Sequence, residues 1–212
     1  MNLNIPYMET DNKLLNDAYR IAAGDIVGNI VYYQNGLLTE EKPCMIAGLD
    51  YNTPWTRDTA INIWNALSIL SPEVSKNTLL AVLEEEEGNI YIGGQYWDSI
   101  IWMIGAREYC RFHKDDNFYR LAFEAGRNSV HRLEEDEFDE EDGLFRGPAV
   151  YGDGIAAYPD KYSKCPNQSS GILEWVDYPG NPVYPKGYGI PMKALSTNCV
   201  YFKVYEILAE MA

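Results

Sequence analysis

The chain has little positive charge and no long hydrophobic run. Its 17 lysine and arginine residues stand against 32 aspartate and glutamate residues, so the formal net charge is −15 at pH 7. This excess of negative charge excludes nucleic acids and anionic membrane surfaces as expected partners, because both are bound through basic patches. No run of about 18 apolar residues is present to span a membrane. The first four residues lack the basic and apolar regions of a signal peptide, and we therefore expect a cytoplasmic protein.

The sequence also lacks the usual patterns of metal, phosphate and nucleophile chemistry. It has two histidines and four cysteines, and none of them has the spacing of a zinc or redox motif. No glycine-rich phosphate loop and no nucleophilic-serine motif occurs. We therefore expect no cofactor and no bound metal. We expect the cysteines to be buried free thiols; they are Cys44, Cys110, Cys165 and Cys199.

What the chain does have is a large apolar and aromatic content. Apolar residues make up 46% of it and aromatic residues 13%, enough for a sizeable core. The apolar residues recur at helical spacing, and no flexible linker separates the segments. The sequence therefore predicts one all-α domain over residues 1–212, built from antiparallel helical hairpins with long aromatic-rich loops. The six predicted helices cover about 12–30, 58–70, 72–87, 100–112, 116–133 and 196–211.

The segments between these helices carry the remaining predictions. Residues 33–55 and 143–194 are rich in glycine and proline or tyrosine, which is typical of loops. Residues 90–92 favour a short strand. The acidic run 134–142 is predicted to be a solvated helix end. A weak calcium site is the alternative interpretation of that run, although it lacks the spacing and central glycine of an EF-hand loop.

Three segments place aromatic and carboxylate side chains together at helix starts or in loops. An aromatic ring offers a flat apolar surface to a sugar, while arginine and aspartate supply donors and acceptors for its hydroxyl groups. Structural roles also suit these residues, since Asp58 would cap a helix and Asp153 would occupy a turn between two glycines. We expect the three segments to line one cleft. They are Trp55-Thr56-Arg57-Asp58, Gln95-Tyr96-Trp97-Asp98 and residues 146–154.

The first of these segments carries a family resemblance. The residues Trp55-Thr56-Arg57-Asp58-Thr59 resemble the Trp-x-Arg-Asp-Ser/Thr motif of glucoamylase-like enzymes. The wider layout is similar to that of the six-hairpin glycosidases, which include glucoamylases, processing α-glucosidases and neutral invertases. The resemblance implies an (α/α)6 toroid, of which this chain would supply only the N-terminal half, with about six of the twelve helices.

The resemblance also implies roles for individual residues. Arg57 and Asp58 match groups that bind hydroxyls of the terminal sugar, with Trp55 as the wall of the subsite. The segment 95–98 is similar to a second inner-helix start, so Tyr96, Trp97 and Asp98 would line the same subsite. The segment that contains Asp153 resembles the loop that carries the general acid, a carboxylic acid that protonates the leaving oxygen. Tyr151 would lie beside the sugar.

An inverting glycosidase needs a second carboxylate that activates water. In the six-hairpin families that base lies late in the toroid, so we expect the matching position to be absent here. Glu174 and Asp177 are the nearby candidates, without a pattern match. The primary prediction is a hydrolase of an α-glucoside or a related glycoside by an inverting two-carboxylate mechanism, lacking its base if truncated.

Two further interpretations compete with this prediction. The first is a non-catalytic carbohydrate-binding or interaction module with an α/α-hairpin fold. The second is a helical-repeat scaffold, which accounts for the hairpins but not for the aromatic and acidic loops. An incomplete ring of helices would leave apolar faces uncovered. We therefore expect a homo-oligomer or a partner chain that completes the toroid.

Overall fold

The computed structural model of the chain describes residues 5–48, 50–94, 96–150 and 192–212. Of these residues, 58% are helical and 13% lie in strands, arranged as six helices and three small antiparallel sheets. The fold is therefore mixed, and the prediction of an all-α, (α/α)6-toroid arrangement is wrong. The physical reason is local, because three segments predicted as loops or helix ends pair as β-hairpins.

The first two helices begin and end close to the predicted positions, and the third begins where it was predicted but ends at Ala81 rather than at about residue 87. Helix α1 (Lys13–Gly28) is capped by the side chain of Asn12, which accepts hydrogen bonds from two first-turn N–H groups. Helix α2 starts as an α-helix (Thr56–Asn62) and widens into a π-helical turn (Ile63–Leu67). It ends with a short α-helical stretch at residue 70. Helix α3 (Pro72–Ala81) begins with a proline at its first position, where the missing N–H is harmless.

The remaining helices form the second half of the described chain. Helix α4 runs through Trp97–Ile100 and Trp102–Phe112. Helix α5 (Asp116–Glu137) is capped by Asp115 and is a full turn longer than its periodicity predicted. Helix α6 (Leu195–Met211) ends where it was predicted to end.

Two of the three hairpins were not predicted. Strand β1 (Ile30–Tyr33) ends at the first residue of the segment predicted as a loop. It pairs with strand β2 (Lys42–Met45), which lies inside that segment. Strands β5 (Phe138–Asp139) and β6 (Leu144–Phe145) pair at the acidic run. The prediction that this run is a solvated helix end is therefore wrong beyond residue 137.

The third hairpin replaces the predicted end of the third helix. Strand β3 (Leu83–Glu86) pairs with β4 (Asn89–Ile92), and β4 confirms the short strand predicted at 90–92. Glu87 and Gly88 both have positive φ, as the tight turn of a two-residue hairpin requires. Four consecutive glutamates at a helix C-terminus would oppose the helix dipole, whereas the strand buries Leu83 and exposes the carboxylates.

One hydrophobic cluster joins elements from β2 to α6. Its largest fully buried side chains include Trp102 on α4, Phe118 on α5 and Tyr201 on α6. Helices α2 and α4 approach closely at Gly105, where an added Cβ would lie 2.8 Å from the Ala60 Cα. This close packing holds the N-terminal ends of α2 and α4 in fixed positions. The single-domain organisation over 1–212 remains a prediction.

The cysteines differ in their surroundings. Burial raises the pKa of the Cys44 thiol to about 12 and that of Cys110 to about 11, so both are ordinary unreactive thiols. Cys199 is exposed, and the prediction that it is buried is wrong. Cys165 lies outside the described residues. In the described part of the chain, no helix combines the length and apolar character needed to cross a bilayer.

Candidate functional site

The start of helix α2 places the first predicted segment beside the end of β4. Trp55 is extended and precedes the helix, which begins at Thr56. The Thr56 hydroxyl donates to the Gly93 carbonyl at 2.8 Å, and this buried bond ties the two elements together. Asp58 lies inside the first turn, three residues after the cap residue Trp55. A carboxylate there is stabilised by the helix dipole.

Arg57 brings the first two predicted segments together. Its Nη1 lies 3.4 Å from Oδ2 of Asp98 on helix α4, and its Nε lies 3.7 Å from Oδ2 of Asp58. The guanidinium carbon lies 5.0 Å from the centre of the Trp55 ring, within the range of a cation–π contact. The side chains of Arg57, Asp58 and Asp98 retain 18%, 34% and 16% of their exposure, so solvent still reaches the cluster.

The start of helix α4 is an unusual backbone segment. Gly94 has φ of 107°, and an added Cβ would lie 3.3 Å from both Ser99 N and Thr56 Oγ1. Tyr96 has φ of 49° and ψ of −133°, a conformation that costs a tyrosine on the order of 1–3 kcal/mol. Such strain persists where the surrounding structure fixes the backbone. Gln95 lies outside the described residues.

The third predicted segment reaches the same place through Gly147. This glycine has φ of 136°, and an added Cβ would lie 3.4 Å from Cδ1 of Tyr96. Gly147 therefore lies directly beside the start of α4. Tyr151 and Asp153, the predicted neighbour of the sugar and the predicted general acid, lie outside the described residues, as do Glu174 and Asp177.

The aromatic residues of the two helix starts differ in exposure. Trp55 is 37% exposed, and the edge of the Tyr51 ring faces it at a centroid distance of 6.0 Å. Tyr96 and Trp97 are buried and belong to the hydrophobic core. Trp55 and Tyr51 thus supply the open aromatic surface, whereas Tyr96 and Trp97 are part of the core.

A charged cluster fixes the loop that follows hairpin β5–β6. Lys193 Nζ lies 2.7 Å from Asp139 and 2.6 Å from Asp142, and Arg146 Nη2 lies 2.9 Å from Asp139. The hydrogen bond from Lys193, followed by one from the backbone N–H of Glu141, lowers the pKa of Asp139 to about 2. Asp139 is therefore ionised at neutral pH and holds both cations.

Backbone and side-chain bonds extend this attachment to helix α6. The Gly147 N–H donates to the Met192 carbonyl at 2.8 Å, and the Val150 N–H donates to the Ser196 hydroxyl at 3.0 Å. Asn198 accepts from the Phe145 N–H and donates to the Phe145 carbonyl. Residues 145–150 consequently have a defined position relative to α4 and α6.

Three residues near the site were not predicted. Tyr51 lay in a segment interpreted only as a loop. Glu137 was assigned to the solvated acidic run but is buried; its spacing from Val130 and Leu133 continues the buried face of α5 and could have indicated this. Tyr201 is fully buried at an i+4 position from Thr197, which the helical periodicity could have shown.

The arrangement can bind a polar, uncharged ligand that has one apolar face. It combines an exposed indole, a guanidinium and two carboxylates within one solvent-accessible cluster, the combination that suits hydroxyl groups on a ring. Within the described ranges, no three His, Cys, Asp or Glu side chains are placed to hold a metal ion. Protein-family models, curated protein sequences and solved structures were all compared with the chain, and none matches it.

Proposed function

We propose that the chain binds a carbohydrate between the N-terminal ends of α2 and α4 and hydrolyses its glycosidic bond. The observation that supports this most is Arg57, which lies 3.4 Å from Asp98 and 5.0 Å from the centre of the Trp55 ring. Two segments about 40 residues apart thereby supply one set of donors, acceptors and aromatic surface.

Each part of the cluster has a role in carbohydrate binding. The Trp55 ring stacks against the apolar face of a sugar ring. Arg57 donates to the sugar hydroxyls, and Asp58 and Asp98 accept from them. The cluster carries two carboxylates against one guanidinium, so it favours a neutral or cationic sugar over a phosphorylated one. The proposed substrate is accordingly a neutral glycoside, with α-glucosides as the first class to test.

The chemistry is assigned to Asp153 through the resemblance described above. As a general acid it would protonate the leaving glycosidic oxygen, and it must stay protonated near neutral pH to do so. A second carboxylate would deprotonate the attacking water in an inverting reaction. Glu174 and Asp177 are the candidates for that role on this chain.

The experiment is a hydrolysis screen with α-glucosides, trehalose, sucrose and rhamnosides, with NMR detection of the first-formed anomer. We expect turnover with inversion, and we expect Asp153→Asn to lower kcat by at least about a hundredfold, as removal of a general acid does. Asp160→Asn, in the same segment, is the matched control and should keep full activity. Unchanged turnover in Asp153→Asn would contradict the acid assignment.

A second function is favoured by the absence of a pattern-matched base in the sequence. In this alternative the same cluster binds carbohydrate without hydrolysing it. Saturable binding of a glycoside with no product over a long incubation would select the binding function. Measurable release of a reducing sugar that depends on Asp153 would select the hydrolase.

A further inference from the structure

Tyr201 on helix α6 has a buried hydroxyl that no described residue bonds. The side chain retains 1% of its exposure, and its hydroxyl oxygen has no hydrogen-bond partner. The ring is held in place by Phe145, stacked on it at a centroid distance of 3.6 Å and an interplanar angle of 3°. An unsatisfied buried hydroxyl is unfavourable relative to phenylalanine, so packing alone does not explain the choice of tyrosine here.

The surroundings of this hydroxyl belong to the candidate site. Phe145 pairs with Phe138 across hairpin β5–β6, and the residue before Phe138 is the buried Glu137. Arg146 donates its backbone N–H to the Glu137 carbonyl at 2.8 Å. The next residue, Gly147, lies beside the Tyr96 ring, since an added Cβ would be 3.4 Å from Cδ1 of Tyr96. Glu137, Tyr201 and Tyr96 are thus neighbours beneath the loop at residues 146–150.

The direction in which the pKa of Tyr201 is shifted agrees with this placement. Burial raises the pKa of Tyr201 well above its usual value, and the negative charge of Glu137 raises it further, with smaller effects from Tyr205 and Tyr96. The hydroxyl therefore stays protonated at any physiological pH and can act only as a neutral hydrogen-bonding group. A tyrosine hydroxyl that donates to a carboxylate forms a charge-assisted bond, which is stronger than a bond between neutral groups, so Glu137 is the chemically suited acceptor for this hydroxyl.

We propose that Tyr201 is a positioning residue of the carbohydrate site, which donates to the Glu137 carboxylate in the ligand-bound state and holds Glu137 to accept from a sugar hydroxyl. This inference rests on the proposed function. It agrees with the general behaviour of functional hydrogen bonds, which are often long without ligand and shorten when the ligand binds. It adds a third carboxylate, besides Asp58 and Asp98, to the groups that bind the sugar.

The same two helices provide a matched control pair. The Tyr205 hydroxyl on α6 donates to the Glu134 carboxylate on α5, and both residues lie about one turn away from Tyr201 and Glu137. Tyr205 is partly exposed and contributes to the outer surface. Substitutions in the control pair remove the same hydroxyl and the same charge outside the site.

The test is calorimetric titration in the Asp153→Asn background, where turnover does not interfere. The ligand is whichever of maltose, trehalose, sucrose and methyl α-rhamnoside binds most tightly. We expect Tyr201→Phe to leave the Tm of the free protein unchanged or higher, because it removes an unsatisfied hydroxyl. We expect its Kd to rise about tenfold, as for the loss of a hydrogen bond to a charged group.

Further variants separate positioning from structure. Glu137→Gln should raise Kd by a similar factor, and the double variant should bind no more weakly than the weaker single variant, since both remove one coupled pair. Tyr205→Phe and Glu134→Gln should keep the starting Kd. An unchanged Kd in Tyr201→Phe, or fully additive effects of the two substitutions, would overturn this inference while the proposed function stands. Failure of the starting protein to bind every sugar would overturn both.

Discussion

At the scale of the residue, the candidate site depends on a few charged side chains that contact one another. Arg57 connects Trp55, Asp58 and Asp98, and Lys193 connects Asp139 with Asp142. The residue types at 55–58 and 96–98 were recognised from the sequence because sugar chemistry needs them. The ion pair of Lys193 with Asp139 was not predicted, because the two residues are 54 positions apart and only folding brings them together.

Asp139 gives a pH prediction with a definite sign. Its pKa is lowered to about 2 in the folded protein, below the value near 3.9 of an unfolded aspartate. The stabilisation from this ionisation is therefore complete above about pH 4 and is lost as the pH falls toward about 2. We expect Asp139→Asn to reduce the free energy of unfolding by a constant amount between pH 5 and 7.

The measurement is urea unfolding of both proteins at intervals from pH 7 to pH 3. The difference between them should shrink only below about pH 4. Asp142→Asn, which removes the more exposed of the two Lys193 partners, is the control and should have the smaller effect. A difference that stays constant down to pH 3 would contradict the proposed role of the Asp139 charge.

At the scale of the element, helix starts and helix packing position the site. Helix α2 is fixed against α4 at Gly105, and the Thr56–Gly93 bond joins α2 to β4. Most helix bounds followed from apolar spacing, proline and cap residues. The hairpins did not, because Pro43 and the glutamates at 84–87 are poor strand formers, and tertiary contacts such as Arg132 with Glu86 and Tyr91 favour the strands.

Two helical glycines give opposite predictions. An added Cβ at Gly105 would lie 2.8 Å from the Ala60 Cα, whereas one at Gly24 on α1 would meet nothing within 4 Å. We expect Gly105→Ala to lower the free energy of unfolding by about 1–3 kcal/mol through overpacking. We expect Gly24→Ala to raise it by about 0.5–1 kcal/mol, since alanine is the better helix former.

Chemical denaturation of the two variants beside the starting protein measures both effects. Gly24→Ala is also the control for the general effect of the substitution on a helix. A stability of Gly105→Ala equal to or above that of the starting protein would contradict the close approach of α2 and α4, and with it the fixed position of the two helix starts.

At the scale of the whole molecule, the described chain is a mixed fold around one apolar cluster, with the candidate cluster where three distant segments meet. The sequence predicted that the segments at 55–58 and 95–98 would meet, because each combines aromatic and charged residues near a helix start, and the contact between Arg57 and Asp98 agrees with this. It could not indicate which aromatic rings stay open, since burial of Tyr96 and Trp97 depends on the loop at Gly147 and on α6. Association with a second copy or a partner chain remains a prediction, and large apolar side chains such as Leu14 and Phe202 are exposed.

The most direct test of the central claim is a calorimetric titration of neutral glycosides into Asp153→Asn protein, with and without Arg57→Ala. Arg20→Ala, which removes an arginine paired with Asp17 on the exposed helix α1, is the control. We predict saturable binding that weakens at least about tenfold on loss of the Arg57 donors and is unchanged by Arg20→Ala. Absence of binding to every glycoside, or an equal Kd with and without Arg57, would contradict a carbohydrate site between α2 and α4.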